Sequence, residues 1–308
     1  MTKKIALIFG GLGQNGYLLT KFLIKKKYKI YSIIKSNIKS RKIVKVKYLK
    51  ININHYDKIF NLLNKIKPDE IYNFIGPSDK ISFEQKSFNF FKKDFILNLY
   101  TLEAIRLLNL NTKFFYCSSS EVFGSLRRTV SEKSKRIIEN NYSLTKNMSE
   151  LLIEFYRYNF NINACFGILF NHDSIFRKKK FLYKILLEIL QKKNIQKPIL
   201  IKNINDIKYR SDAEKIVKVI WKILQRKKQD DYVISTSKSI SVKNLIKQIS
   251  NNHKINLIWK KKSNKIEVYK NSKLLITAMN KQNQYRIKPN LNKIESDLKI
   301  NTKNLSLF

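Results

Sequence analysis

The sequence predicts an α/β protein with a doubly wound parallel sheet and a smaller, partly interwoven C-terminal region. Three observations carry that expectation. Short β-rich runs alternate with helical stretches through the first half of the chain. Several of those runs are apolar throughout, as strands covered on both faces are. Four of the seven glycines fall between positions 10 and 16, directly after the first apolar run. A βαβαβ rhythm of this kind favours parallel strands with helices on both faces.

In order, the expected strands cover residues 4–9, 29–34, 46–51, 70–75, 113–117 and 163–170, and the expected helices 17–27, 56–66, 94–108 and 142–158. From about residue 181 the rhythm changes. Helices are expected over 181–191, 211–226 and 241–249, with short strands over 199–202, 232–235 and 266–269. Residues 1–180 therefore read as a nucleotide-binding part and 181–308 as a substrate-side region, with elements crossing between them. The chain has no internal repeat and no linker rich in Pro, Gly or Ser.

Composition narrows the function. Fifty-three lysines and ten arginines face 22 acids across 308 residues, a formal charge of +41. The excess is lysine, spread along the whole chain and mixed with Ile and Asn. Arginine is the residue expected for base reading and bidentate phosphate contacts, so no nucleic-acid partner is expected. No apolar run approaches the roughly 20 residues of a membrane span, and no small-residue cleavage site follows the opening apolar run. Cys117 and Cys165 lie in apolar runs, which suits free thiols in a reducing cytoplasm.

The glycines form Gly10-x-x-Gly13-x-x-Gly16, with Gln14 and Asn15 inside, between a strand and a helix. Residues without Cβ allow the tight turn and let backbone N–H groups approach a pyrophosphate at the positive end of the helix. A fold taking NAD usually places an acid about 20 residues further on. This chain has no acid before Asp57; Lys35 and Ser36 stand at the end of the second strand instead. A cation and a hydroxyl there suit a 2′-phosphate, so NADP is expected, with NAD the alternative. No metal is expected.

The fifth strand ends in Ser118, Ser119, Ser120 and Glu121, and Tyr142 and Lys146 follow at i and i+4 on one helix face. A nearby ammonium lowers a phenol's pKa, so such a tyrosine is expected to exchange a proton near neutrality.

With these motifs together, the chain resembles the extended short-chain dehydrogenase/reductases, most closely the GDP-mannose 4,6-dehydratases. The turn at 10–16 is similar to the family's Gly-x-x-Gly-Gln-Asp-Gly, and 118–124 to its Ser-Thr-Ser-Glu-Leu-Tyr-Gly. Segment 167–174, Gly-Ile-Leu-Phe-Asn-His-Asp-Ser, is very close to Gly-Ile-Leu-Phe-Asn-His-Glu-Ser. The resemblance implies a Rossmann-type fold and dehydration of a nucleotide sugar, GDP-mannose first. It makes Tyr142 the base, Lys146 its partner, Ser119 the hydroxyl at the substrate's O4, and Glu121 the acid–base group of the elimination. It sets Phe74, Ser78, His172 and Arg177 beside the cofactor, and Asn171, Lys208 and Arg286 beside the substrate. A homodimer is implied, with a homotetramer as the alternative. The chain departs from the family at Asn52, Pro77, Phe88 and Tyr209, and its loop 35–41 is reduced. Two other readings remain open: a C4 epimerase or 4-keto reductase, which would need Tyr142 and Lys146 but not Glu121, and a non-catalytic dinucleotide-binding protein.

Overall fold

The computed structural model describes residues 3–35, 42–76, 91–125, 128–174, 176, 198–281 and 287–307. The first half runs β1 (Ile5–Phe9), α1 (Gln14–Lys25), β2 (Lys29–Ile33), β3 (Val46–Leu49), α2 (Tyr56–Ile66) and β4 (Glu70–Asn73). A π-helical turn (Lys92–Ile96) leads into α3 (Leu97–Leu107), β5 (Lys113–Ser119) and a 3-10 turn (Ser120–Phe123). Then come β6 (Arg128–Val130), α4 (Asn141–Phe160), β7 (Ala164–Leu169) and β8 (His172–Asp173). The C-terminal region holds β9 (Ile199–Ile201), β10 (Ile207–Tyr209), β11 (Ser211–Asp212), α5 (Ala213–Gln225), β12 (Tyr232–Ile234) and β13 (Ser239–Ser241). It continues with α6 (Val242–Asn252), β14 (Ile258–Lys262), β15 (Lys265–Lys270), β16 (Lys273–Met279), β17 (Ile287–Pro289) and α7 (Asn292–Leu298). The expected helix over 181–191 lies outside the described residues.

Seven strands form one parallel sheet in the order β12-β7-β5-β4-β1-β2-β3. The winding reverses between β1 and β4, which makes the crevice beyond their carboxyl ends the expected ligand site. Register carries several chain segments to that edge, since Phe9 pairs Asn73, Asn73 pairs Tyr116, and Cys117 pairs Gly167. Apolar residues fill both faces, with Phe9, Tyr72, Phe114, Phe115 and Phe166 fully buried.

A second core joins β9, β14, β15 and β16 to α6 through residues such as Leu245, Ile246, Val268 and Ile276. Helix α5 and strand β12, although C-terminal in sequence, pack into the first core. The chain thus returns to the central sheet after residue 181.

Two local differences from the expected pattern have clear causes. Helix α1 starts at Gln14 because Gly13 sits extended (φ −70°, ψ 170°) as its N-cap, and the helix takes in Gly16 in its first turn. A glycine and two polar residues look like a turn in sequence. The strands β14 and β16 flank β15 in a lysine-rich meander whose exposed positions hide the apolar alternation.

Candidate active site

The glycine turn forms a cradle at the crevice. Gly10 has a φ of +81°, and a Cβ on Gly16 would lie 2.4 Å from the Gly10 carbonyl oxygen. A Cβ on Gly11 would collide with Ser32 Oγ. Helix α1 opens with no side-chain cap and no acid in its first turn, so its N–H groups and positive dipole end are presented without an internal anion. This chemistry fits the phosphates of a dinucleotide. Gly10 N donates to Ile33 O at 3.2 Å, which ties the cradle to the end of β2, where Lys35 follows exposed. Phe74 lies on the other side, its backbone carbon 3.2 Å from where a Gly10 Cβ would be.

Gln14 and Asn15 are used within the protein. Gln14 Nε2 donates to His172 O at 3.2 Å, and Gln14 Oε1 accepts from Ser174 N and Ser174 Oγ, both at 3.1 Å. His172 Nε2 lies 3.0 Å from Asn15 Oδ1, and its Nδ1 is 2.9 Å from Phe170 O. The three residues Gln14, Asn15 and His172 are therefore brought together, fastening the cradle to β8.

Helix α4 supplies the reactive face. Asn140 and Ser143 cap its start reciprocally, so the first turn is fixed just where Tyr142 lies. Tyr142, Lys146 and Glu150 follow at four-residue steps, all buried, and each meets the end of β5. The Ser119 hydroxyl is in hydrogen-bonding reach of the Tyr142 phenol. Lys146 Nζ donates to Cys117 O at 3.0 Å, and Ser118 Oγ donates to Glu150 Oε1. Arg136 pairs with the other Glu150 oxygen at 2.7 Å. Ser119 Oγ also accepts from Glu121 N at 3.3 Å, which anchors the 3-10 turn that exposes the Glu121 side chain.

One expectation is corrected. Burial pushes the Tyr142 phenol above its ordinary range, and Lys146 and Ser119 offset only part of that. The lysine does lower the phenol, as its charge dictates, but desolvation is the larger effect. Burial alone would lower Lys146, yet Asp94 and Tyr116 hold its ammonium well above the usual lysine range. Asp94, 2.9 Å from Lys146 Nζ and fully buried, was not among the expected site residues. Within Lys-Lys-Asp-Phe it looks like a solvated acid at a helix start; only its aim from the π turn reveals it.

The remaining expected residues scatter. Asn171 is exposed after β7, and its carbonyl accepts from Ser211 N at 2.9 Å. Lys208 pairs with Asp206 at 3.2 Å, and Tyr209 packs edge-on against Phe170. Ser36, Ser78, Arg177 and Arg286, with Pro77 and Phe88, lie outside the described residues. Among the described residues no cluster of three His, Cys, Asp or Glu could hold a metal, and no helix is long and apolar enough to cross a membrane.

A glycine cradle at the sheet's switch point, with a Tyr-x-x-x-Lys helix and a Ser-bearing strand end beside it, defines a nucleotide-sugar enzyme of the short-chain dehydrogenase/reductase type. Solved structures agree in fold. A UDP-glucose 4-epimerase from Brucella ovis in complex with NAD matches with a TM-score of 0.79 at 10% identity, covering 98% of this chain and 96% of that one. A dTDP-glucose 4,6-dehydratase from Bacillus anthracis, also with NAD, matches with a TM-score of 0.77 at 15% identity, covering 98% and 95%. The family profile described as GDP-mannose 4,6 dehydratase matches residues 7–303, and the chain belongs to that family. GDP-mannose 4,6 dehydratase 1 of Arabidopsis thaliana is 31% identical over 267 residues, 79% of this chain and 73% of that protein. The Vibrio cholerae GDP-mannose 4,6-dehydratase is 30% identical over 264 residues, 79% and 70%.

Proposed function

We propose that the chain is a hydro-lyase converting GDP-mannose to GDP-4-keto-6-deoxymannose, with NADP as its cofactor. The observation that carries this reading is the junction of β5 and α4, where Ser119, Glu121, Tyr142 and Lys146 gather beside the glycine cradle. Held at the Gly10–Gly16 cradle with Lys35 at its ribose end, NADP would supply a reversible hydride acceptor for the oxidation at C4 and the reduction at C6. Tyr142 accepts the proton of the C4 hydroxyl, with Lys146 favouring the phenolate, and returns it to C5 as the hydride reaches C6. The Ser119 hydroxyl holds O4. Glu121 removes the C5 proton and protonates the C6 hydroxyl as it leaves as water, so a single carboxyl serves both halves of the elimination. Asn171, Lys208 and Arg286 would contact the nucleotide sugar.

A panel of nucleotide sugars tests the reading. GDP-mannose should give the 4-keto-6-deoxy product, whereas interconversion at C4 without loss of water would favour an epimerase. Glu121→Gln should bind cofactor and sugar but lose about 10²–10⁴ in elimination rate; near-normal dehydration would assign the base elsewhere. For the cofactor, NADP should bind more tightly than NAD, and Lys35→Asp should erase or reverse that preference.

A homodimer suits the exposed apolar stripe of Leu144, Leu151, Phe155 and Tyr158 on α4, with Leu107 on α3. Their spacing sets the α4 residues on one helix side, and a two-fold contact would bury the same patch on both copies. Leu151→Lys should shift the sedimenting species to monomer. The two free cysteines accord with a cytoplasmic site of action.

A further inference from the structure

Among the described residues, Lys146 is a buried cation with one anionic neighbour, Asp94. Its side chain is 5% exposed and that of Asp94 0%. Around the ammonium stand the Cys117 carbonyl at 3.0 Å, the Tyr116 ring at 4.6 Å, the Cys117 thiol and the Tyr142 ring, whose centroid is 5.8 Å away. Three residues beyond β4, Gly76 closes over the pair: a Cβ there would lie 3.3 Å from Lys146 Nζ and 3.5 Å from Asp94 Oδ2. These titratable groups on β5, α4 and the π turn are the ones that face the ammonium. Burial pushes the Cys117 thiol up to about 11, so it stays neutral. Burial also holds the Tyr116 phenol well above its ordinary range, and its hydroxyl donates to Asp94 Oδ1 at 3.0 Å.

Asp94 comes from a π-helical turn, Lys92–Ile96, inserted before α3. Such turns recur at functional sites because the extra residue re-aims a side chain. Here it aims a carboxylate inward at the lysine.

We propose that Asp94 is a positioning residue for the proton-transfer pair: across its 2.9 Å contact it keeps Lys146 charged and in place against the Tyr142 phenol. Asp94's own charge raises the phenol, but less than the Lys146 charge lowers it, so losing the ammonium's charge outweighs losing the carboxylate's. Without the carboxylate, the ammonium would keep only dipoles among the described residues. A fully buried lysine so left can lose about 3–5 pKa units, and a neutral amine no longer draws the phenol's pKa down. Asp94 touches neither substrate nor cofactor in this role; it acts through Lys146. The inference rests on reading Tyr142 as the proton-transfer group.

Asp94→Asn is the test, read in two ways. The first readout needs no substrate: the ultraviolet phenolate titration of Tyr142, obtained as the difference from Tyr142→Phe. Its midpoint should move alkaline by about one unit or more, since one unit corresponds to tenfold in the phenolate fraction. The second is turnover, which should fall about tenfold or more at neutral pH and recover as pH rises. Asp94→Glu keeps the charge and should hold the midpoint near that of the unchanged protein. A folded Asp94→Asn protein whose midpoint stays put or moves acid-ward would overturn the proposal, as would an even loss of turnover at every pH. If Asp94→Asn does not fold, Tyr116→Phe removes the hydroxyl supporting Asp94 and should give a smaller alkaline move; no move would overturn the proposal as well. A moved phenolate titration with no dehydration of GDP-mannose by the unchanged protein would instead count against the substrate reading alone.

Discussion

Glu70 opens β4 at the amino edge of the central sheet, and Asp94 lies near the carboxyl edge; each is buried, and each meets a lysine and tyrosines. Glu70 accepts from Tyr72 at 2.6 Å, Tyr28 at 3.0 Å, Gln225 at 3.1 Å and Lys4 at 3.2 Å. The Lys4 side chain is 51% exposed, whereas that of Lys146 is 5% exposed. At the amino edge, then, water serves the cation and four donors saturate the anion. Burial and the neighbouring Glu70 push the Tyr72 phenol well above its ordinary range, so it can only donate. At the carboxyl edge the cation is buried and shared, and Tyr142 meets it. The same residue types give a fastener where the tyrosine faces the anion and a proton-transfer pair where it faces the ammonium.

Removing the two hydroxyls gives the sharpest contrast. Tyr142→Phe should lower turnover by at least the 10²–10⁴ of one positioned acid–base group, with the folded state and cofactor affinity nearly unchanged. Tyr72→Phe should leave turnover per folded molecule intact and cost about 1–3 kcal/mol in denaturant unfolding, because Glu70 loses one donor. Equal losses of turnover in both variants would break the comparison. Glu70→Ala should be the larger stability lesion, about 2–4 kcal/mol, since it leaves the buried Tyr72 hydroxyl and the half-buried Tyr28 hydroxyl without their acceptor. Its kcat, measured on the folded fraction, should be that of the unchanged protein.

How far the sequence reveals these two networks differs for a physical reason. The glycine turn and the Tyr142–Lys146 spacing are legible because each needs only neighbours along one element, whereas Ser119 is singled out only by the family resemblance. Legible too are the places along the chain of β1, β4 and β5, strands covered on both faces. Asp94, Glu70 and Glu150 are not, because their partners lie 52, 66 and 14 residues away across packed elements. The raised Tyr142 phenol is hidden for the same cause: the lysine's charge is visible in sequence, while the burial that outweighs it is a property of the packed crevice. Gln14 and Asn15 stand in the glycine turn, but their hold on His172 and Ser174 depends on β8 folding back.

The two lysines complete the comparison. For Lys146→Ala the sign follows from the phenol. Burial raises Tyr142 and Lys146 lowers it, so losing the ammonium must raise it further. The base form of Tyr142 then accumulates only at higher pH, and the acid limb of the pH–rate profile should move alkaline by about one unit or more. Combined with Tyr142→Phe, the lysine change should add almost nothing, because no phenol is left to tune. For Lys4→Ala, half-exposed and one of four donors to Glu70, the expected cost is at most about 1 kcal/mol of stability, weakened further by salt. Its pH–rate profile should overlie that of the unchanged protein. The pair of profiles decides the matter: should Lys146→Ala leave the limb where it was, Lys146 would be a fastener like Lys4, and the carboxyl-edge network would hold the fold without serving the chemistry.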